Sequence, residues 1–420
     1  FAMTAKKKNP MKDLARPVNT LGMLGAGFMG AGIAEVSIVK DIEVLLKDIK
    51  DETLVSANKT IWKSINKKVK RKSLSKVEGN EIMARVHGQL TYDNFQTADM
   101  VIEAVFEDLN LKQNILAQTE VATKDDCIFA TNTSALPIHQ IAAKAKRPEL
   151  VIGMHYFSPV PKMPLLEIIK TEQTADWVIA SCLELGIRQG KTCIVVKDGP
   201  GFYTTRILSP MMNEALLLIE EGAEIKNLDN QLQDFGFPVG PVTLMDEVGI
   251  DVGAHIQAGA LGDFFKERGG DKVKLSDSFK RMAESGYKGR KNGQGFYQYD
   301  PKTGKKNKGL VNEEVYNFFN GSERKSFPAI ELQHRTALMM VNEAVHCLQE
   351  GIIANPLDGD IGAVFGLGFP PFRGGPFRMI DQWGAKEVVR LLENLVEKHG
   401  GRFEPAALLV EMAENGRKFY

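Results

Sequence analysis

What this 420-residue sequence has little of narrows its function before any motif is read. It has four cysteines, Cys127, Cys182, Cys193 and Cys347, scattered with no CxxC pair and no histidine at metal-ligand spacing. Neither a disulfide framework nor a bound metal is expected, and a reducing compartment is. It has no net charge, because 53 Lys and Arg oppose 53 Asp and Glu. That argues against a nucleic-acid coat or an acidic-tail protein, so no nucleic-acid partner is expected. No apolar run reaches the roughly 18 residues of a membrane span. There is no GxSxG and no HExxH, and Ala31 and Gly32 follow Gly30 where a Walker motif would place its lysine. Serine-hydrolase, zincin and P-loop chemistry are therefore set aside. What remains is an ordinary globular composition, 43% apolar and 25% charged, long enough for two or three domains of roughly 100–200 residues.

Residues 1–16 read as an expression scar (Phe1-Ala2-Met3) and a solvated linker (Lys6-Lys7-Lys8-Asn9-Pro10), without the apolar stretch of a secretory signal. From residue 17 to 198 short apolar runs alternate with helical patterns. The runs are 18–24, 43–47, 100–105, 127–131, 150–155, 165–169 and 193–197. This alternation predicts an α/β domain, a Rossmann-type doubly wound sheet. Residues 50–88 break the rhythm and read as an inserted helical hairpin, with Leu54, Ile61, Ile65 and Val69 at helical spacing.

After Gly199-Pro200-Gly201 the chain reads as helix almost to its end. It also repeats itself. Asn213 matches Asn342 and Gly222 matches Gly351, both 129 apart, while Asp246 matches Asp381 and Gly249 matches Gly384, both 135 apart. The stretch from Gly236 to Pro241 matches that from Gly368 to Pro376. The expectation is a duplicated pair of all-α domains, 199–300 and 328–420, joined by a polar linker, 301–327.

Three clusters can carry chemistry. The first run ends in Gly25-Ala26-Gly27-Phe28-Met29-Gly30 and opens a helix. Gly25 permits the tight turn, Gly27 lets backbone approach a pyrophosphate, and Gly30 lets helix pack on strand. The helix N-terminus adds free N–H groups and a positive dipole end. Asp48 ends the second run, placed to accept from both ribose hydroxyls, which favours NAD over NADP because a 2′-phosphate would meet like charge. Second, His155 ends an apolar strand, and a proline-rich reversal can bring Glu167 beside its ring. A His–Glu pair is a sound general acid/base, since the carboxylate fixes the tautomer and stabilises the imidazolium. Ser134, just after another strand, either bonds a substrate oxygen or caps a helix. Third, the basic stretch 63–72 is either a solvated helix face or a patch for an anionic ligand, with Ser64 and Arg71 on one face.

These residues sit within longer motifs: GAGFMGAGIA at 25–34, DMVIEAVFED at 99–108, ATNTSALPI at 130–138, GMHYFSP at 153–159, KDGPGFYTTR at 197–206, GRKNGQGFY at 289–297 and FGLGFPPFRGGPFR at 365–378. With them the sequence resembles the L-3-hydroxyacyl-CoA dehydrogenases, and among these the dehydrogenase part of trifunctional-type alpha subunits, from about residue 17 to the end. The resemblance implies NAD as cofactor and acyl-CoA as substrate, in fatty-acid β-oxidation. It implies His155 as the base, Glu167 as its orienting partner and Ser134 as a bond to the substrate oxygen. Gly25, Ala26, Gly27, Phe28, Met29, Gly30 and Asp48 would hold the adenosine and pyrophosphate, and Glu107, Lys112 and Lys291 match positions that contact NAD. Ser64 and Arg71 fall near positions that touch coenzyme A.

Where many relatives have an active-site Asn this chain has Thr205, so either Thr205 or the nearby Asn213 takes its place. Ser158 likewise stands where relatives often have Asn. The resemblance further implies a mitochondrial location, a thiolase-type beta subunit as partner, and membrane association only through the full complex. It implies dehydrogenase activity alone, because there is no room here for the hydratase domain that precedes it in such relatives. A non-catalytic NAD-binding scaffold for that partner is the rival reading. A dehydrogenase acting on small free hydroxyacids fits less well, since its catalytic lysine has no counterpart in 205–222.

Overall fold

A parallel sheet covered by helices on both faces needs strands that are apolar on both sides. Residues Leu21–Leu24, Val44–Leu46, Met100–Glu103 and Ile128–Thr131 meet that demand and are buried throughout. The structure is a computed structural model and describes residues 8–300 and 303–420. Its strands β1 (Thr20–Leu24), β2 (Glu43–Lys47), β3 (Val86–Gln89), β4 (Met100–Glu103), β5 (Ile128–Thr131), β6 (Val151–Tyr156), β7 (Leu165–Lys170) and β8 (Thr192–Lys197) form one sheet in the order β3-β2-β1-β4-β5-β6-β7-β8. Every neighbouring pair is parallel except β6 and β7. Helix α1 (Phe28–Ile38) is buried from Gly30 onward, which its small residues Gly30, Ala31, Gly32 and Ala34 permit.

Two expectations for this first unit need correction. The segment 50–88 is not only a helical insertion. After α2 (Asp51–Lys70) and α3 (Lys76–Ala84) it ends in β3, which pairs with β2 as the sheet's edge strand. That strand has four residues, none fully buried, so it leaves no apolar run to read. Nor is the chain a solvated linker up to residue 16. Asn9 donates to Ala180 O (2.9 Å) and to Glu184 (3.3 Å), and the Arg16 N–H donates to Ser181 Oγ (2.9 Å). The Arg16 guanidinium lies 3.8 Å over the Trp177 ring. These partners are more than 160 residues away, beyond any local pattern. Residues 1–7 lie outside the described ones. Helices α4 (Leu109–Ala122), α5 (Ile138–Ala142) and α6 (Asp176–Arg188) complete the unit, which ends at Phe202 rather than 198.

The second unit runs from Tyr203 to Tyr420 and holds both halves of the repeat. Its first half is α7 (Thr204–Glu220), α8 (Ile225–Phe235), α9 (Pro241–Val248), α10 (Ile250–Ala258), α11 (Ala260–Gly269) and α12 (Ser278–Glu284). Its second is α13 (Ala329–Gln349), α14 (Pro356–Leu367), α15 (Pro376–Trp383), α16 (Ala385–His399) and α17 (Ala407–Glu414). The expected linker is in fact packed. Strands β9 (Tyr297–Tyr299) and β10 (Lys306–Val311) pair antiparallel, Val315, Tyr316 and Phe319 are buried, and Arg324 donates to Ile219 O and Ala223 O.

The halves meet through α7 and α13 by a reciprocal set of buried ion pairs. Arg206 of α7 reaches Glu343 (2.8 Å) and Glu350 (2.8 Å) of and just beyond α13. Arg335 of α13 reaches Glu214 (2.6 Å) and Glu221 (2.6 Å) of and just beyond α7. All three matches, Arg206 with Arg335, Glu214 with Glu343 and Glu221 with Glu350, are 129 apart. This is the self-complementary pattern of a two-fold interface, built within one chain. The pairing continues below it. Asp246 accepts the N–H groups of Phe296 and Tyr297, and Asp381 accepts those of Phe419 and Tyr420. Asp229 takes the Tyr297 hydroxyl as Asp360 takes that of Tyr420.

Candidate active site

The carboxyl ends of the parallel strands carry the candidate residues, as open α/β sheets dictate. The glycine turn between β1 and α1 has the shape of a phosphate cradle. Gly25 has φ +93° and an added Cβ there would lie 2.6 Å from Ala104 O, while a Cβ on Gly30 would lie 1.8 Å from Gly25 O. A Cβ on Gly27 would meet nothing within 4 Å. Gly25 and Gly30 therefore serve the fold, and Gly27 faces open space at the helix N-terminus. No side chain caps that terminus, so its first N–H groups stay available to an anion. These features fit the pyrophosphate of NAD.

Asp48 is where the second run placed it, yet it is partly used. Its Oδ2 accepts the Ala26 N–H (2.8 Å), and its Oδ1 accepts those of Ile49 (2.8 Å) and Lys50 (3.2 Å). A carboxylate has about four lone-pair sites, so about one remains for a ribose hydroxyl, and the expectation of bonding both is corrected. Three apolar side chains follow the strand ends beside this cradle; Phe28 was expected to contact the cofactor, whereas Ile49 and Phe106 were not foreseen. Phe28, Ile49 and Phe106 are 66%, 82% and 85% exposed, and follow the ends of β1, β2 and β4. The signal was present for Ile49, which adjoins Asp48.

Lys112 is corrected more strongly. It is fully buried, with Nζ 2.8 and 3.0 Å from the two oxygens of Glu103 and 3.4 Å from Glu107. A side chain with no accessible surface does not touch NAD; it fixes Glu103 and Glu107. Glu103 also accepts from the Val105 N–H (2.6 Å) and the Thr131 hydroxyl (2.8 Å). Glu107 in turn accepts from the Thr133 hydroxyl and from the Ser134 N–H (3.0 Å). This buried network sets the backbone of Ser134. Its hydroxyl bonds no described residue, and Thr133, not Ser134, caps the turn through the Leu136 N–H (3.0 Å).

The reversal expected after His155 is present. β6 and β7 pair antiparallel with His155 opposite Glu167, and both are buried. His155 Nδ1 lies 2.9 Å from Glu167 Oε2. Its Nε2 has no partner among the described residues, and the rings of Phe157 and Phe202 stand 4.5 and 6.2 Å away, centroid to centroid. Lys191, another residue not foreseen, pins the reversal by donating to Val160 O and Met163 O (2.7 Å). Burial pulls its ammonium down to about 8.

Ser64 donates to Glu35 (2.5 Å), joining α2 to α1, so its hydroxyl is not free for coenzyme A; Arg71 is exposed at the end of α2. Lys291, in the second unit, pairs with Asp251 (3.0 Å). Thr205 lies in the first turn of α7. Asn213 does not replace an active-site Asn. Its Nδ2 donates to Lys274 O (2.8 Å) and its Oδ1 accepts the Ser276 N–H (2.9 Å). Asn342 does the same work in the other half, with Glu404 O (2.8 Å) and the Ala406 N–H (2.9 Å).

Comparison with known proteins identifies the family. The NAD-binding domain of 3-hydroxyacyl-CoA dehydrogenase matches residues 20–199, and its C-terminal domain matches 201–299 and 332–419. The chain belongs to the 3-hydroxyacyl-CoA dehydrogenase family. The alpha subunit of the fatty acid oxidation complex of Idiomarina loihiensis is 48% identical over the whole chain, and that of Vibrio vulnificus 46%. The chain spans 59% and 58% of their lengths. The structure of Escherichia coli 3-hydroxybutyryl-CoA dehydrogenase superposes with a TM-score of 0.82 at 28% identity, covering 95% of this chain and 99% of that one. The dehydrogenase part of Caenorhabditis elegans multifunctional enzyme 1 shares the fold, with a TM-score of 0.63 at 24% identity, covering 98% and 96%. These matches also overturn the expected mitochondrial location, because these alpha subunits, 46% to 48% identical over the whole chain, are bacterial.

Proposed function

We propose that this chain oxidises L-3-hydroxyacyl-CoA to 3-ketoacyl-CoA in β-oxidation, as the dehydrogenase part of an alpha-type subunit that works beside a thiolase-type partner. The buried His155–Glu167 pair at the strand ends carries the reading. NAD, when bound, supplies the hydride acceptor. The chain's own residues do the rest. His155 Nε2, without a partner among the described residues, takes the proton of the 3-hydroxyl. Glu167, at Nδ1, keeps the ring in the tautomer whose Nε2 can accept and stabilises the charge that results. The Ser134 hydroxyl bonds the same substrate oxygen, its backbone fixed by Glu107. The Gly27 turn and the α1 N-terminus bind the pyrophosphate, Asp48 one ribose hydroxyl, and Phe28, Ile49 and Phe106 give the cofactor apolar surface. Exposed Arg71 is left for coenzyme A, Lys291, paired with Asp251, for NAD, and Thr205 for the position of the usual active-site Asn.

The test is NADH-dependent reduction of acetoacetyl-CoA, with His155→Gln as comparison. Loss of the general base lowers kcat by about 10²–10⁴, with NADH affinity retained in a fluorescence titration. Equal kcat in the variant removes His155 from the mechanism. NADH binding with no wild-type turnover makes the chain a binding scaffold.

A further inference from the structure

Between β6 and β7 the chain reverses through Phe157-Ser158-Pro159-Val160-Pro161-Lys162-Met163-Pro164. Three prolines leave this stretch short of N–H donors. Within it the Lys162 and Met163 N–H groups both donate to Pro159 O (2.9 and 3.1 Å). Yet the register it closes is the one that makes the site. Tyr156 stands opposite Leu166, His155 opposite Glu167 and Met154 opposite Ile168. A slip of one residue would set an apolar side chain, Leu166 or Ile168, against the His155 ring and turn Glu167 to the other face of the sheet. Because the connection fixes the register of such a pair, a connection this poor in bonds of its own has to be held from outside.

Lys191 holds it, from the turn between α6 and β8. Its Nζ donates to Val160 O and to Met163 O (2.7 Å), so one ammonium bridges two carbonyls three residues apart. The Thr192 N–H, next in the chain, donates to Pro164 O (2.7 Å), and the Lys191 N–H donates to Gly186 O of α6 (2.9 Å). From the other side Val160 is buried against α1, where a Cβ on Gly32 would lie 2.9 Å from the Val160 Cβ. The reversal is thus clamped between α1 and the start of β8. Stability alone does not explain a cation there. Lys191 is 6% exposed and pairs with no Asp or Glu among the described residues, and burial pulls its ammonium down to about 8. A buried charge without a carboxylate partner is unfavourable, and an apolar side chain of similar volume fills such a place at less cost. What the ammonium adds is two fixed carbonyls on the connection that joins His155 to Glu167.

We propose that Lys191 is a positioning residue of the dehydrogenase, holding the reversal in the register that sets Glu167 against His155 Nδ1. The proposal rests on the reading of that pair as the general base, and one of its tests needs no turnover. Lys191→Met keeps the length of the stem and removes the donors. In acetoacetyl-CoA reduction the variant is expected to lose at least about tenfold in kcat, with NADH affinity held. In a Glu167→Gln background, where the contact is already impaired, the same substitution is expected to cost less than about threefold, because residues acting through one contact are not additive. A residue that merely stabilised the fold would cost the same in both backgrounds. Proton NMR of the full chain reads the contact itself. The downfield Nδ1–H held by Glu167, assigned by its disappearance in His155→Gln, is expected in the wild type and lost to fast exchange in Lys191→Met. Should that variant not fold, Lys191→Gln, with its donors on a shorter stem, takes its place in both measurements. A folded variant within about twofold of wild-type kcat, an equal loss in the Glu167→Gln background, or an unchanged downfield proton overturns the proposal. So does a wild type without that proton, which has no held pair to position. A wild type that turns nothing over, yet loses the proton on Lys191 substitution, sinks the dehydrogenase reading and leaves the positioning role standing.

Discussion

Replacing Glu167 by Gln tests the active-site geometry more sharply than removing His155, because shape is kept and one charge is lost. Glu167 is buried and its Oε2 lies 2.9 Å from His155 Nδ1. In the wild type the carboxylate only accepts, so the ring carries its proton on Nδ1 and presents a lone pair at Nε2. A hydrogen bond to a charged group is worth about 1.5–3 kcal/mol, and at about 1.4 kcal/mol per tenfold in rate its loss slows the proton-transfer step by about 10- to 150-fold. That figure assumes the amide oxygen faces the ring. If the amide nitrogen faces it instead, Nδ1 becomes the acceptor, Nε2 carries the proton, and the base is lost, with a penalty that reaches about 10⁴ where a triad has been put in the wrong tautomer. The assay is steady-state reduction of acetoacetyl-CoA with NADH. The expected result is a fall of at least about tenfold in kcat, with NADH affinity held because the glycine cradle is untouched. A thermal melt guards against loss of fold. A folded variant within about twofold of wild-type kcat would refute the role given to Glu167.

Three further outcomes follow from the same structure. Gly27→Ala, whose Cβ enters empty space, is expected to keep the melting temperature and weaken NADH binding, whereas Gly30→Ala, whose Cβ would lie 1.8 Å from Gly25 O, is expected to lower the melting temperature; a melt and a fluorescence titration separate the two. Arg335→Met leaves buried Glu214 with Arg402 as its remaining guanidinium partner and is expected to cost about 3–5 kcal/mol in denaturant unfolding; a cost under about 1 kcal/mol would mean the reciprocal pairs are ornamental. Burial raises the Asp360 carboxyl from 3.8 to about 7, so its contribution to stability is fully present below about pH 4 and is lost as pH rises through about 7. Asp360→Asn should flatten that part of the pH–stability curve, and an unchanged curve refutes the assignment.

The first unit was legible because its signals are local. Strands such as Met100–Glu103 are apolar runs, the glycine turn occupies six consecutive residues, and His155 sits at the end of its strand. What escaped was settled by distant partners. Glu103 lies inside an apolar run and reads as a lapse in it, until Lys112 and Thr131 close around it. Arg206 and Arg335 carry no local signal of burial, yet both are buried against carboxylates 114 to 144 positions away. The same distance hid the docking of residues 8–16 on α6 and the packing of the stretch read as a linker. Lys112 was expected among the NAD contacts by resemblance alone, and its burial in α4 makes it a clamp on Glu103 and Glu107 instead.

The duplication supplies a criterion that sequence alone did not. Where matched residues do the same work in both halves, that work belongs to the scaffold, because only one half follows directly from the NAD-binding unit. Asn213 and Asn342 clamp matching backbone stretches, Asp229 and Asp360 each hold a tyrosine hydroxyl, and Asp246 and Asp381 each hold a Phe-Tyr pair of N–H groups. On this criterion Asn213 leaves the list of active-site candidates, however apt its chemistry. Where matched residues differ, scaffold does not explain the choice. Thr205 against His334, Ser209 against Leu338 and Val248 against Trp383 are such pairs. All three first-half members line one cavity of the second unit. At this site the first half departs from the structural solution of its copy.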